Sequence, residues 1–521
     1  MSQGGIKLEY VLGVDIGTSG TKTVLFDKLG NTIESCTYEY PLIQEKAGWA
    51  EQDANDWWEA VVESIRHVVQ SSNISSECIK GIGLSGQMHG LVMLDKEGNT
   101  LRNSIIWCDQ RTVKECEEIT DLVGRERLIE ITANPALTGF TASKILWVRN
   151  NEPNIYKNTN KILLPKDYIR YKLTGEYATE VSDASGMQLL DIRKRNWSDE
   201  VLEKLNIDKS LLGKVYESQE ITGYVTREVA NLTGLKEGTI VVGGAGDQAA
   251  GAIGNGIVKD GVVSSTIGTS GVVFAYTKEP KIDKEGRVHT FCHAIPNTWH
   301  VMGVTQGAGL SLKWFKDNFC QSELEVSSSL GKDVYEIINS QVSQVPTGCN
   351  GLLYLPYMMG ERTPHLDPYA RGVFFGLSPI HSKKEMARSI MEGVSYSLKD
   401  CMDIIEKLNI EVNEVRASGG GGKSKVWRQM QADMFNQDVY TINSSEGPAL
   451  GVAILALVGA GIYESVQKAC ETIIKTSTKL EPINQNVDTY KRYHRLYKKI
   501  YNSLKDDFKL LDEVVNFKDE E

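Results

Sequence analysis

The sequence lacks the features that mark several classes of protein. Its nine cysteines are odd in number and form no C-x-x-C pair, which argues against a disulfide framework or a zinc site. The longest apolar stretch, 449–462, contains glycine and is too short to cross a bilayer, so we expect a buried helix there. No apolar signal segment follows Met1. These absences predict a cytoplasmic protein without a membrane partner.

An excess of positive charge is also absent. The 57 lysines and arginines are outnumbered by 68 acidic residues, and the net charge of −11 argues against a nucleic-acid partner. Proline is limited to 13 residues, and no low-complexity linker divides the chain. Because 521 residues exceed what one hydrophobic core usually supports, we expect two domains that pack closely around a cleft.

The most informative feature that is present is a repeat. Ile-Gly-Thr-Ser-Gly occurs at residues 16–20 and again at 267–271, each time between two runs of strand-forming residues. Such a turn predicts a hairpin whose tip offers backbone N–H groups and hydroxyls to phosphate. Two copies predict a duplicated fold with a nucleotide between its halves. The residue before the repeat is Asp15 in the first copy, a candidate Mg²⁺ ligand through water, and Thr266 in the second.

Local patterns predict several further elements. Amphipathic or apolar periodicity predicts helices at 53–70, 308–319 and 383–408, and a charged amphipathic helix near the C-terminus. A Gly-Asn turn between two strand-like runs predicts a hairpin across residues 91–107.

Two other segments carry candidate chemistry in glycine-rich surroundings. Asp247 follows a buried predicted strand in segment 243–248, where few side chains would neutralise its carboxylate, and this suits a general base. A helix N-cap at Asp247 is the alternative. The glycine run 419–422 resembles a P-loop, but Ala417 stands where that motif requires glycine. We therefore favour close approach of adenosine or its phosphates, with an ordinary strand-to-helix turn as the alternative.

A third segment, 86–90, places Met88 and His89 between two glycines after a short buried strand. This pattern predicts a small pocket floor in which His89 bonds a hydroxyl, while a purely structural histidine is the alternative. Trp107 fits two interpretations equally, a ring that covers a sugar face and a core tryptophan.

Together these segments resemble the FGGY carbohydrate kinases of the actin, hexokinase and heat-shock-chaperone ATPase superfamily, over residues 8–462 and in the same order. The family's two signatures correspond to residues 139–148 and to 372–377 followed by 385–392. Within the family, segments such as 360–365 resemble the xylulokinase branch.

The resemblance implies an α/β fold of two ribonuclease-H-like domains around a catalytic cleft. We expect an N-terminal domain with the sugar site at 8–255, a C-terminal domain with the ATP site at 256–485, and a C-terminal helix and tail at 486–521. It also implies ATP and Mg²⁺ as cofactors and a ketopentose as the other small-molecule partner. Homodimers are common in the family, so a homodimer is a further expectation.

The resemblance assigns roles residue by residue. Asp247 matches the catalytic base, and Asp15 matches the acid associated with Mg²⁺ and activity. The substrate-binding residues that the resemblance implies are Met88, His89, Asp247 and Gln248, and we add Trp107 from its interpretation as a ring that covers a sugar face. Gln248 stands where many xylulokinases carry asparagine. The expected ATP-binding residues are Thr18, Ser19, Gly268 and Thr269 in the phosphate hairpins, Gly420, Gly421 and Ser424 in the adenosine-binding segment, and Gly309 near the nucleotide.

The expected reaction transfers the γ-phosphoryl group of ATP to a primary hydroxyl of a ketopentose. O5 of D-xylulose is the best candidate and would give D-xylulose 5-phosphate. One rival is a sister kinase that acts on ribulose, gluconate, glycerol or another polyol. The other rival is a non-catalytic actin-like ATPase, against which the presence of Asp247 and the sugar-pocket segment argues.

Overall fold

The computed structural model describes residues 9–516. Residue 8, where the first domain is expected to begin, and residues 517–521 of the expected tail lie outside this range. Within the described residues no helix is long and apolar enough to cross a membrane.

The first half of the chain is a mixed α/β unit that ends near residue 254. Its strands are β1 (Tyr10–Ile16), β2 (Gly20–Asp27), β3 (Thr32–Glu39), β4 (Glu51–Gln52), β5 (Ile79–Gly86), β6 (Val92–Leu94), β7 (Ser104–Ile105), β8 (Lys161–Leu163), β9 (Ala178–Glu180), β10 (Leu190–Asp191), β11 (Asn196–Trp197), β12 (Lys214–Tyr216), β13 (Ile221–Tyr224), β14 (Ile240–Val242) and β15 (Ala245–Gly246). Its helices are α1 (Ala54–Ser71), α2 (Val113–Val123), α3 (Arg125–Thr132), α4 (Thr141–Asn151), α5 (Pro153–Asn158), α6 (Pro165–Thr174), α7 (Val181–Ser185), α8 (Asp199–Lys204), α9 (Arg227–Thr233) and α10 (Asp247–Gly254).

The second half repeats the same kind of unit. Its strands are β16 (Gly261–Ile267), β17 (Gly271–Thr277), β18 (His289–Cys292), β19 (Trp299–Thr305), β20 (Leu353–Leu355), β21 (Val373–Phe375), β22 (Val412–Ser418), β23 (Val439–Ile442) and β24 (Thr476–Leu480). Its helices are α11 (Ala308–Phe319), α12 (Gln321–Leu330), α13 (Val334–Val342), α14 (Lys383–Lys407), α15 (Gly419–Gly422), α16 (Lys425–Phe435), α17 (Gly447–Gly459), α18 (Val466–Ile473) and α19 (Asn484–Asn516).

Each half is built on a seven-stranded sheet, and the two sheets share one topology. The first contains the order β3-β2-β1-β5-β14, in which β1 is antiparallel to β2 and parallel to β5. The second contains the order β19-β17-β16-β22-β23, in which β16 is antiparallel to β17 and parallel to β22. The duplicated pentapeptide therefore marks the same hairpin in two copies of a ribonuclease-H-like sheet.

The two halves pack directly on each other, as the absence of a linker predicts. Helix α17 of the second half lies on the first sheet, where a Cβ at Gly13 or Gly83 would collide with its backbone at Ala449 or Val452. It also crosses α10, because a Cβ at Gly451 would meet the backbone of Ala250. The apolar stretch 449–462 is thus largely a buried helix, as expected.

The expected hairpin across residues 91–107 is only partly present. A turn forms at its tip, where Asp95 N donates to Asn99 O at 2.9 Å. The arms are joined to each other only by isolated bridges, while β6 pairs with β8 and β7 pairs with β4. Both arms therefore pair mainly with strands that are distant in sequence, and not with each other across the turn.

Candidate active site

Two carboxylates lie at the carboxyl ends of neighbouring parallel strands. Asp15 stands opposite Ser85 in the register of β1 and β5, and Ser85 Oγ donates to Asp15 Oδ1 at 2.8 Å. Asp247 comes directly after β15, which pairs with the same stretch of β5. Strand ends of this kind form the usual ligand edge of an open α/β sheet. Burial raises the pKa of Asp15.

The environment of Asp247 suits proton transfer near neutral pH. Burial, followed by the negative charge of Asp15, raises the pKa of Asp247 to about 7, against an opposing contribution from hydrogen bonds with Gln248. Helix α10 begins at Asp247 itself, and its N-cap position is Gly246, so the N-cap interpretation of Asp247 is wrong. A carboxyl group with this pKa can act as a base close to physiological pH.

The matching edge of the second sheet carries hydroxyls instead. Thr266 Oγ1 and Ser418 Oγ lie 2.7 Å apart on β16 and β22, in the register that Asp15 and Ser85 have on β1 and β5. The repeat keeps the hydrogen-bonded pair and loses the charge. At this pair of positions the negative charge is confined to the first sheet.

The first hairpin tip has its carbonyl groups occupied by protein. Tyr40 Oη donates to Gly17 O at 2.6 Å, and Gln52 Nε2 donates to Thr18 O at 2.7 Å. Trp107 Nε1 donates to Thr18 Oγ1 at 2.9 Å. Because indole nitrogen can only donate, the Thr18 hydroxyl keeps its own hydrogen for another acceptor. The neighbouring Ser19 is exposed.

Trp107 is not a core residue. Its side chain is 45% exposed, so the core interpretation is wrong. The ring lies beside the first hairpin tip, and the carbonyl oxygen of Trp107 would lie 3.1 Å from a Cβ placed at Gly139. This position is open to a ligand in the cleft.

The second hairpin tip is held by the start of helix α11. Gly309 N donates to Gly268 O at 2.8 Å, and Leu310 N donates to Thr269 O at 3.1 Å. A Cβ at Gly309 would collide with Gly268 O, so this close approach requires glycine. Gly268 and Thr269 themselves are exposed at the tip.

A cavity of about 850 Å³ lies between the two halves and is lined by residues of both. Asp247 and Gln248 line its first-domain side, and Gly419 and Gly420 line the opposite side. Gly419 has φ +74°, and a Cβ there would lie 2.5 Å from Ile267 O. The glycine run forms the short helix α15, and Lys423 follows it in the cavity wall.

Two of the expected ATP-binding residues lie behind this wall. Gly421 packs on Ile267, where an added Cβ would lie 2.6 Å from Ile267 Cβ. Ser424 caps α16 by accepting from Trp427 N at 3.2 Å, and it donates to Asn339 Oδ1 at 3.0 Å. From these positions Gly421 and Ser424 can support the glycine helix, but they do not face the cavity in which a nucleotide would bind.

Met88 and His89 form a pocket next to Asp247. The Met88 side chain lies over Gly246, since a Cβ there would be 2.9 Å from Met88 Cγ. His89 Nδ1 lies 2.8 Å from Gly186 O, and a carbonyl oxygen can only accept, so Nδ1 carries the hydrogen. Burial and the charge of Lys144 lower the pKa of His89 to about 3. Neutral His89 therefore offers Nε2 as an acceptor.

Two cationic residues of this region were missed by the sequence analysis. The buried Lys144 donates from Nζ to His89 O at 2.9 Å and to Gly139 O at 2.7 Å, and burial lowers its pKa to about 7. Lys22 Nζ lies in the cavity wall, 2.5 Å from Glu446 Oε2 of the other half. The available signals were the position of Lys144 in the first signature and of Lys22 just beyond the first hairpin tip.

Comparison with known proteins places this geometry in a family. Models of the N-terminal and C-terminal domains of the FGGY family of carbohydrate kinases match residues 10–254 and 263–460. The chain belongs to the FGGY family of carbohydrate kinases. This confirms the expected family, its ATP-dependent enzyme class and the two-domain α/β fold.

Individual relatives match this FGGY kinase over almost its full length. It is 42% identical to the xylulose kinase of Bacillus subtilis strain 168 over 499 residues, which are 96% of this chain and 98% of the relative. A ligand-bound xylulose kinase from Lactobacillus acidophilus has a TM-score of 0.89 at 28% identity, covering 97% of this chain and 100% of that one. A gluconate kinase from the same organism matches with the same TM-score, identity and coverage.

Proposed function

We propose that this FGGY kinase transfers the γ-phosphoryl group of ATP to O5 of D-xylulose and releases ADP and D-xylulose 5-phosphate. The observation that carries the proposal is the 42% identity to a xylulose kinase over nearly the whole of both chains. The pocket formed by Met88 and neutral His89 agrees with an uncharged sugar. We also propose that sugar binds mainly to residues 8–255 and ATP mainly to residues 256–485, with 486–521 as an appended helix and tail.

In this mechanism Asp247 is the general base. Its carboxylate accepts the proton of the O5 hydroxyl as O5 forms a bond to the γ-phosphorus atom, and the bond from that phosphorus to ADP breaks. His89 Nε2 accepts a hydrogen bond from another hydroxyl, and Gln248 contacts the sugar beside Asp247. Trp107 covers a face of the sugar. Closing of the halves around the cleft excludes water as a competing acceptor.

The Asp15 carboxylate fits a Mg²⁺ site, because it lies at the carboxyl edge of the first sheet, where Ser85 Oγ donates to its Oδ1 at 2.8 Å, and Mg²⁺ prefers oxygen ligands. We propose that Asp15 holds Mg²⁺ through water. When bound, the ion would supply positive charge beside the phosphate oxygens.

The two hairpins are the proposed phosphate contacts. Thr18, Ser19 and Thr269 donate hydroxyl hydrogens to phosphate oxygens. Gly268, whose own N–H donates to Ser270 O at 2.9 Å, lets phosphate approach the second tip closely, and Gly309 keeps that tip in place. Gly420 allows adenosine to approach the backbone. Gly421 and Ser424 contribute to ATP binding by supporting the glycine helix from behind the cavity wall. Two observations support these contacts. The carbonyl oxygens of Gly17 and Thr18 in the first tip already accept hydrogen bonds from the protein, and the second tip is exposed.

We further propose a homodimer that works in the cytoplasm. Exposed apolar side chains near the second family signature support a protein interface, with Met359 at 66%, Leu377 at 59% and Ile380 at 68% exposure. The nine cysteines are all unpaired, which agrees with a reducing compartment. Light scattering with Leu377→Asp tests the dimer, since a wild-type monomer or an unaffected variant dimer would contradict this interface.

The substrate is tested by coupled ADP release over D-xylulose, D-ribulose, gluconate and glycerol. We expect the highest kcat/KM with D-xylulose. A clear preference for one of the other three would contradict the substrate while leaving the family unchanged. ATP turnover that does not depend on any added sugar would contradict the kinase function.

A further inference from the structure

Arg362 of the second half reaches the sugar pocket of the first half. A Cβ placed at Gly139 would lie 3.7 Å from Arg362 Nη2 and 3.1 Å from Trp107 O. The positive charge of Arg362 contributes to the lowered pKa of His89, so the guanidinium lies near that ring as well. Arg362 thus lies next to Gly139, which adjoins Trp107, and near His89, and both of these residues are proposed to bind sugar.

The guanidinium of Arg362 has no hydrogen-bond or ion-pair partner in the part of the chain that the structure describes. Within residues 9–516 no side-chain or backbone acceptor forms a hydrogen bond or an ion pair with it. The adjacent Glu361 carboxylate is already used by Thr305 Oγ1 at 2.6 Å and by Gln306 N at 2.9 Å. Partial burial lowers the pKa of Arg362, against an opposing contribution from the negative charge of Glu361. Arg362 is only partly buried, so its unpaired donors remain open and can be used by a ligand that enters the cleft.

The backbone beside Arg362 is firmly attached to the second half. Thr363 N donates to Val304 O at 2.9 Å, and Thr363 Oγ1 donates to Arg287 O at 2.7 Å. His89 and Gly139 belong to the first half. A ligand that binds both His89 and Arg362 would therefore connect the two halves of the cleft.

The hydrogen-bonding character of the pocket indicates which ligand atom Arg362 binds. His89 Nε2 and ionised Asp247 can only accept, so they suit hydroxyl groups. A 2-ketopentose closes its five-membered ring through O5, so a substrate phosphorylated at O5 must be open and present a free C2 carbonyl. A carbonyl oxygen can only accept a hydrogen bond, and it needs a donor such as Arg362.

We propose that Arg362 is a specificity-determining residue that donates hydrogen bonds to the carbonyl oxygen of a bound open-chain ketose. This assignment rests on the proposed function, since it takes the ligand of the pocket to be a ketose. It makes the carbonyl, rather than the hydroxyl pattern alone, a recognition element. The kinase then distinguishes a ketose from the polyol formed by its reduction.

The test compares D-xylulose with its two reduction products, xylitol and D-arabinitol, in wild type and Arg362→Gln. We expect the variant to raise KM for D-xylulose at least about tenfold, as expected when a charged hydrogen-bond donor is lost. We expect KM for ATP and kcat/KM for the polyols to change less than about threefold. Arg371→Gln is the matched control, because the Arg371 guanidinium donates to Pro368 O and Ala370 O outside the pocket.

The outcomes separate this inference from the proposed function. An unchanged KM for D-xylulose, or an equal loss with ketose and polyols, would overturn the role of Arg362 alone. A wild-type preference for another ketopentose would overturn the proposed substrate, and the same comparison with that ketose and its polyols would still test Arg362. A wild-type preference for gluconate or glycerol would overturn both. If Arg362→Gln does not fold, as judged by its melting temperature, Arg362→Lys provides the test and should raise KM for the ketose less.

Discussion

The replacement of Asp247 by asparagine separates chemistry from binding. Asparagine has nearly the same shape but cannot accept the proton of the sugar hydroxyl. The loss of general-base catalysis typically costs about 10²–10⁴ in rate, so we expect kcat to fall at least about a hundredfold. Sugar and ATP should still bind, since Met88, His89 and both hairpin tips are unchanged.

The effect of Asp247→Asn on stability follows from the sign of its pKa shift. The pKa of Asp247 is raised from 3.8 to about 7 in the folded protein, so folding disfavours the ionised carboxylate. This cost to stability grows as the pH rises from 3.8 to about 7 and is complete above that pH. Asparagine removes this cost at pH 8, and no helix cap is lost with it. We therefore expect a melting temperature at pH 8 that is equal to or above that of the wild type.

The pH dependence of the wild type provides an internal check on the same group. Because the carboxylate is the active form, kcat/KM for the sugar should fall as the pH decreases through about 7. The residual activity of Asp247→Asn should lack this limb. Asp260→Asn serves as a control, since Asp260 is an exposed residue that pairs with Lys278 at 2.6 Å. An Asp247→Asn variant within tenfold of wild-type kcat would refute the assignment of the base.

Three further predictions concern the hairpins, the pocket support and the domain contact. Thr18→Val and Thr269→Val each remove a hydroxyl donor to charged phosphate oxygens, so each should weaken ATP binding about tenfold or more. Calorimetry measures both ligands, and lost sugar binding with normal ATP binding would refute the proposed phosphate contacts. Lys144→Met should raise KM for the sugar and leave KM for ATP unchanged, because it releases His89 O and Gly139 O; an unchanged KM for the sugar would show that Lys144 does not position the pocket. Gly83→Ala should lower the melting temperature by several degrees or prevent folding, because its Cβ would collide with α17; wild-type stability would contradict the close packing of the halves.

The sequence predicts those elements whose signals are local. Helix α11 occupies the predicted residues 308–319, and α1 follows Asp53, whose side chain accepts from Asn55 N as an N-cap. The duplicated hairpins are predicted well because glycine and hydroxyl residues specify both the turn and the free tip. The hairpin across 91–107 is not, because strand pairing with β4 and β8 outweighs a local turn.

Local sequence patterns do not predict contacts between residues that are far apart in the chain. Lys144 holds a carbonyl 55 positions earlier in the chain, and Arg362 approaches Gly139 from the other half. The boundary of the cavity is likewise set by tertiary packing, which places Gly420 in the wall and turns Ser424 to cap α16.

The proposed phosphoryl transfer to O5 is tested most directly by identifying the product. Purified enzyme is incubated with ATP, Mg²⁺ and D-xylulose, and the phosphorus NMR spectrum is recorded with proton coupling. We expect one new phosphomonoester coupled to the two C5 protons of the ketose, formed in equal amount with ADP. Phosphate on another oxygen, or ADP formed with free inorganic phosphate and no sugar phosphate, would contradict it.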